Sequence, residues 1–259
     1  DIGMGMHSKF SDFLPIYANS SNDDSILVSE IRKDLTLWSD FEIQLGKITS
    51  KLPNSQKRKF LNELRQFEME FTDFLKKQEE ALSFDNEADI SNRMRKSLLD
   101  FYKYPNVPHA SEQSINKLFN MYRGECRIYN FLNFNYTSVL DKCVSLIDNG
   151  IISKRKYGSD FITDRVGKII HVHGAIAAHP IMGVNDNTQI YNQAFAEDES
   201  FSRFLVKPKI NQALRMNYDL DSENIIQGSQ LICVYGMSLG CTDKKWWNTI
   251  IQWIRNHSN

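Results

Sequence analysis

The chain has 259 residues, 41% of them apolar and 24% charged, the balance of a globular protein long enough for a large core, or a core with a subdomain. Its formal net charge is −1, so no field of the whole molecule points to nucleic acid or to an anionic membrane, and neither is an expected partner. No apolar run approaches the ~18 residues that a membrane-spanning helix needs.

The opening stretch, "DIGMGMHSKFSDF", reads as a glycine-containing loop running into a helix. Such a loop normally follows a strand, and the terminal helix "WWNTIIQWIRNHSN" normally precedes one, so the sequence is expected to be part of a longer natural chain. In "SILVSEIRKDLTLWSDFEIQLGKI", Ile31, Leu35, Trp38, Leu45 and Ile48 recur on one helical face. The next helix is marked by Phe60, Leu64, Phe67, Phe71 and Phe74, with Asn54 as its N-cap. A seam so rich in Phe packs against another helix or across a homo-oligomer interface. The triplet "KRK" at 57–59 reads as a solvated face. Two more helices, in "ISNRMRKSLLDFYKY" and "EQSINKLFNMY", flank a loop holding Pro105 and Pro108.

From residue 126 the pattern changes. "CRIYNFLNFN" reads as a strand, and "TSVLDKCVSLIDNG" as a helix capped by Thr137 or Ser138 and ended by Gly150. "KIIHVHG" and "PIMGV" read as short strands, and "SFSRFLVKPKINQALRMNY" as helix restarting near Pro208. "QLICVYG" is nearly all apolar, as a central parallel strand would be, and "KKWWNTIIQWIRN" is helical. Alternating strands and helices predict an α/β fold, Rossmann-like with a mainly parallel sheet. The expected segments are the opening loop and first helix over 1–25, a helical insertion over 26–125, and the rest of the α/β domain over 126–259. The four cysteines, at 126, 143, 233 and 241, form no CxxC pair. Cys143 and Cys233 fall in apolar patterns and are expected as reduced core thiols, which favours the cytoplasm.

In an open α/β sheet, ligands sit beyond the carboxyl ends of the strands. Loops 1–12, 133–138, 173–186 and 236–243 are expected there, carrying Asn135, His173 and Ser238 just past strand ends. Asn135 has an alternative as a simple helix cap. His171 and His173 share a strand face, which would also suit metal ligation with His179, although no acidic ligand has recognisable spacing. Glu42, in "WSDFE", either faces the cleft or flanks the core.

The blocks "DIGMGMHSKFSDF", "WSDFEIQLG", "FNYT", "HVHG", "IMGVND" and "YGMSLGCTDKKWW", in this order, resemble the AbiH family of bacteriophage abortive-infection proteins. More distantly the pattern is similar to sirtuin-like NAD-binding domains: a Gly-rich first loop, an Asn after a strand, a His followed by Gly, and a late glycine loop. Several such domains in phage defence cleave NAD, and their Asn-to-His separation is similar to the 38 residues here. The resemblance implies Asn135 and His173 as catalytic residues. It implies Asp1, Gly3, Gly5, Thr137, Gly174, Gly236 and Ser238, with Glu42 as a further candidate, as NAD-binding residues. NAD would be the substrate, no metal would be needed, and a phage-encoded partner would act as trigger. Two departures stand out. The sirtuin pattern has Asp where this chain has Thr137, and the four-cysteine zinc ribbon of sirtuin deacylases is missing. A nucleotide or phage-product sensor and a metal-dependent hydrolase or nuclease remain the alternative functions.

Overall fold

The computed structural model describes residues 7–20, 24–105, 107–237 and 243–257. It is an α/β protein, mostly helical, with a small mixed sheet. The helices are α1 (His7–Ser20), α2 (Ile26–Lys33), α3 (Phe41–Ile48), α4 (Lys57–Glu80), α5 (Glu87–Asp100), α6 (His109–Met121) and α7 (Val139–Ser145). After a β-hairpin come α8 (Gln193–Ala196), α9 (Glu199–Leu205), α10 (Lys207–Ala213), α11 (Tyr218–Gln227) and α12 (Lys244–His257). No described helix is long and apolar enough to cross a membrane.

Strands β1 (Ile128–Asn133), β2 (Ile151–Tyr157) and β3 (Asp160–His171) form one sheet in the order β1-β3-β2. β2 and β3 are an antiparallel hairpin turning at Gly158, whose φ is +61°. β1 runs parallel to β3: Arg165 N–H donates to the Arg127 carbonyl and Val172 N–H to the Asn133 carbonyl, each at 2.9 Å. The described sheet is therefore not mainly parallel.

Several expectations are corrected. The helical pattern of residues 25–48 is broken, because Asp34 leaves the helix in an extended conformation (φ −161°) and accepts bonds from Thr36 N–H and Oγ. Leu35 consequently points outward, 39% exposed, instead of joining the seam. α4 starts at Lys57 behind a 3-10 turn over Asn54–Gln56, so Asn54 is not its N-cap. Lys57 is not simply solvated, since it pairs with Asp198 and lies over the rings of Phe195 and Phe201. "PIMGV" contributes only an isolated parallel bridge between Val184 and Val206. Residues 231–235 are in no strand, and Val234 and Tyr235 are exposed. A strand is its ladder, and no described residue pairs with this segment. For the same reason Cys233 is exposed, whereas Cys143 is buried as expected.

The chain forms two compact units. The first comprises residues 1–80, 133–137 and 170–259, so α1–α4 belong with the C-terminal part. Its core is the α4 stripe of Phe60, Leu64, Phe67, Phe71 and Leu75, packed with α1, α2, α3, α8 and α9. The i, i+3/i+4 spacing read from the sequence is the buried stripe, with Leu75 rather than the partly buried Phe74 completing it. Phe67 is the hub: its ring stacks on Phe41 at 4.9 Å and meets Tyr17 edge-on at 4.8 Å. α3 approaches residue 189 so closely that a Cβ at Gly46 would lie 2.0 Å from the Gln189 carbonyl oxygen.

The second unit comprises residues 81–132 and 138–169. Its α5 is capped by Asn86, which accepts from Asp89 N–H. The organising charge is Asp164, fully buried on β3. It accepts a fork from Arg155 Nε and Nη2 (2.7 and 2.8 Å), a bond from Ser153 Oγ (2.7 Å) and one from Arg127 N–H (3.0 Å). Arg155 also donates to the carbonyls of Arg123 and Glu125, tying that segment to the hairpin. These donors outweigh burial and hold the Asp164 carboxyl below its usual pKa.

Two measurements check this account. Phe67→Ala should cost about 3–5 kcal/mol in chemical denaturation, because neighbouring rings cannot close the cavity. A depressed carboxyl pKa stabilises the fold above its unfolded value and loses that contribution as pH falls through the folded one. Asp164→Asn should therefore be markedly less stable than wild type at neutral pH, and the gap should narrow only below about pH 4.

Candidate functional site

All residues of the site lie in the first unit. Because β1 and β3 run parallel, the residues that follow Asn133 and His171 leave the sheet at one edge. The buried Asn133 side chain accepts from Asn135 N–H at 3.0 Å and turns the chain there. The Asn135 side chain is exposed, and the backbone carbonyl of Asn135 accepts from His171 Nδ1 at 3.1 Å. His171 is thus engaged with backbone.

His173 occupies a different environment. Its side chain is only 12% exposed, and its Nε2 lies 3.4 Å from Asp243 Oδ1. The ring meets Phe134 edge-on at 5.5 Å, and Phe134 in turn meets Trp246, the buried member of the Trp pair opening α12. Ile181 N–H donates to the His173 carbonyl at 2.7 Å. Gly174 follows with φ +73°, and a Cβ there would lie 2.0 Å from the His179 carbonyl oxygen, so only glycine fits. Burial, reinforced by the charge of Lys207, pushes the His173 pKa down to about 4 against the opposing pull of Asp243. The ring is therefore neutral at pH 7. With Nε2–H directed at Asp243, Nδ1 carries the lone pair.

Lys207 is the counterpart that sequence reasoning missed. It is 5% exposed at the start of α10 and donates to Glu42 Oε1 in the first turn of α3. Its backbone is fixed by the Val184 bridge, through Lys207 N–H to the Val184 carbonyl at 2.9 Å. Burial raises the Glu42 carboxyl above its usual pKa, with Lys207 opposing and Asp243 and Asp40 adding to the rise. Glu42 Oε2 is buried with no hydrogen-bond partner among the described residues. Tyr136 donates its hydroxyl to the Ile181 carbonyl at 3.2 Å, and burial beside Glu42, Glu68 and Asp243 raises its pKa. Glu42, Lys207, His173 and Asp243 thus form one buried, charge-coupled cluster beside the two strand ends.

Thr137 is buried, and α7 begins after Ser138 without a capping bond from that side chain. Gly236 has φ +64° in open surroundings. Asp1, Gly3, Gly5 and Ser238 lie outside the described residues. Among the described residues no group of three or more His, Cys, Asp and Glu side chains is arranged to hold a metal. Two clefts, of about 200 and 550 Å³, contain none of the cluster's residues. Lys207 gave little signal in sequence, since a lysine before Pro208 reads as an exposed helix start; Asp243 was visible only as part of the "GCTDKKWW" block.

This is an α/β protein with a buried acid–base cluster next to parallel strand ends. The model of the family described as bacteriophage abortive infection AbiH matches residues 1–259, and the chain belongs to that family. Family membership points to a role in abortive phage defence. No curated protein and no solved structure matches the chain.

Removing Lys207 alone strands a buried carboxylate, so Lys207→Ala should cost about 3–5 kcal/mol, and the paired change Glu42→Leu/Lys207→Met much less. His173 sets a pH dependence as well. Its folded pKa is lowered, so its contribution is complete above about 6.5 and is lost as pH falls through about 4. Wild type should lose on the order of 3 kcal/mol relative to His173→Gln across that window, read by urea denaturation at stepped pH.

Proposed function

We propose that this AbiH-family protein is a cytoplasmic abortive-infection effector that binds NAD and hydrolyses its nicotinamide–ribose bond. In this reading the α/β part is a sirtuin-like, Rossmann-type nucleotide-binding region, and a phage-encoded product triggers it. The observation that carries the proposal is His173: buried, neutral, oriented by Asp243, and one residue before an obligate glycine at the edge where Asn135 also emerges.

Water attacks the anomeric carbon of the nicotinamide ribose, and the electron pair of the breaking C–N bond neutralises the pyridinium as nicotinamide leaves. His173 Nδ1 accepts the proton of the attacking water, and Asp243 steadies the imidazolium that forms. The exposed Asn135 amide can donate to one ribose hydroxyl and accept from another. Burial, helped by Lys207, keeps the imidazole neutral before attack, and Lys207 is paired with Glu42 so that its own charge is compensated. Glu42, Thr137, Gly174 and Gly236 would line the nucleotide's path, with Asp1, Gly3, Gly5 and Ser238 on its phosphate side.

One observation favours a second reading, nucleotide sensing without turnover. Thr137, where the sirtuin pattern has an acid, is a buried neutral residue and brings no charge to the site.

The test is chromatography of NAD incubated with purified protein, alone and after exposure to an infected-cell extract. Nicotinamide and ADP-ribose should accumulate, and His173→Ala and Asn135→Ala should each slow this roughly 100-fold or more without loss of fold. Undiminished turnover by both variants would sink the catalytic assignment. Tight NAD binding without product would favour the sensor.

A further inference from the structure

One face of the sheet plays no part in the site just described. Within the second unit, Lys154 lies opposite Thr163 and Lys156 opposite Phe161 in the hairpin register. These four side chains therefore emerge on one face, and Arg165 and Gly167 follow on it at the two-residue period. The bond from Arg165 N–H to the Arg127 carbonyl sets Ile128 beside Arg165 on this face. A Cβ at Gly167 would meet Asn130 Oδ1 at 2.3 Å and Ile128 Cγ2 at 2.6 Å, which places those side chains in the same layer. The opposite face carries the buried Asp164 with Arg155.

The open face joins charge to aromatic surface. Phe161 is 69% exposed and Ile128 63% exposed, although both sit on strands of an ordered sheet. Lys154, Lys156 and Arg165 make no ion pair among the described residues. On this face Lys154, Lys156 and Arg165 have no acidic neighbour from the hairpin, because Asp160 and Asp164 alternate to the opposite face, where Asp164 holds Arg155. The whole-chain charge of −1 averages this patch away, so its reading against nucleic acid does not apply locally.

We infer that this face binds single-stranded nucleic acid, with phosphates against Lys154, Lys156 and Arg165 and an unpaired base stacked on Phe161. Lysines two residues apart on a strand are spaced about 6.6 Å along it, a row that tracks an extended backbone. Phe161 is the cross-strand neighbour of Lys156, so ring and cation meet the same nucleotide. A duplex hides its base faces from such a ring, whereas a single strand presents them. An exposed aromatic near the hairpin turn with cations beside it on the same sheet face is the minimal form of a stacking platform.

The experiment measures fluorescence anisotropy of labelled oligo-dT and oligo-rU, each of about 12 nucleotides, with the full chain across a salt series. Phe161→Ala leaves charge unchanged and should weaken binding roughly 5- to 150-fold. Lys154→Gln/Lys156→Gln should lower the slope of log affinity against log salt by about 1.4. All these positions are exposed, and unchanged thermal unfolding confirms that the variants fold. Loss of affinity in both variants with either probe upholds the inference, and the tighter probe assigns DNA or RNA. No binding at low salt, binding undiminished by the variants, or sensitivity to the lysine changes alone would overturn it. Binding to anionic vesicles in place of both oligonucleotides would overturn it equally.

Discussion

An ammonium and a carboxylate leave water together or not at all. Lys207 and Glu42 are both largely withdrawn from solvent, and each is tolerable there only because the other is present. The geometry around them follows from that requirement. α3 must bring Glu42 inward while its neighbour Gly46 admits the Gln189 carbonyl, and α10 must begin where the Val184–Val206 bridge ends. Once placed, the lysine acts on a third group. Its positive charge adds to burial in depressing the His173 pKa, and Asp243 pulls the other way. A charge pair that contributes little net stability thus reinforces what burial does to the His173 imidazole.

The parallel pairing of β1 and β3 supplies the other constraint. It directs the residues after both strands to one edge, where Asn135 is open to solvent and His173 is enclosed by Phe134 and Asp243. In the proposed reaction the first would hold an exposed sugar hydroxyl and the second would work out of water. The antiparallel arm of the sheet serves a different end. Its inner face is organised around Asp164 and its outer face is left free, cationic and aromatic.

Legibility in the sequence followed the range of the interactions. The α4 seam, α5 and α6, the strand before Asn135 and the helix after Asp243 all show local periodicity or capping chemistry, and they form where the pattern places them. Asp34 defeated the pattern around it because one side-chain turn outweighs a marginal helical period. The end of β3 was legible in "KIIHVHG", but the hairpin over residues 151–167 was hidden, since "SKRKY" on an edge strand alternates charge with charge instead of apolar with polar. "QLICVYG" erred in the other direction, because an apolar run specifies a strand only when a neighbouring strand is there to pair with it. At the site, His173, Gly174 and Asn135 were visible as strand-end residues. Lys207 was not, because its partner lies 165 residues away and nothing local marks a lysine that will be buried.

The central claim is that the cluster holds His173 as a neutral acceptor at working pH, and NMR titration of its imidazole Cε1 resonance tests that most directly. Wild-type His173 should stay neutral down to about pH 4, and its pKa should rise in the Glu42→Leu/Lys207→Met variant, where the neighbouring cation is gone. A wild-type pKa near 6.5, unmoved by that double change, would contradict the account.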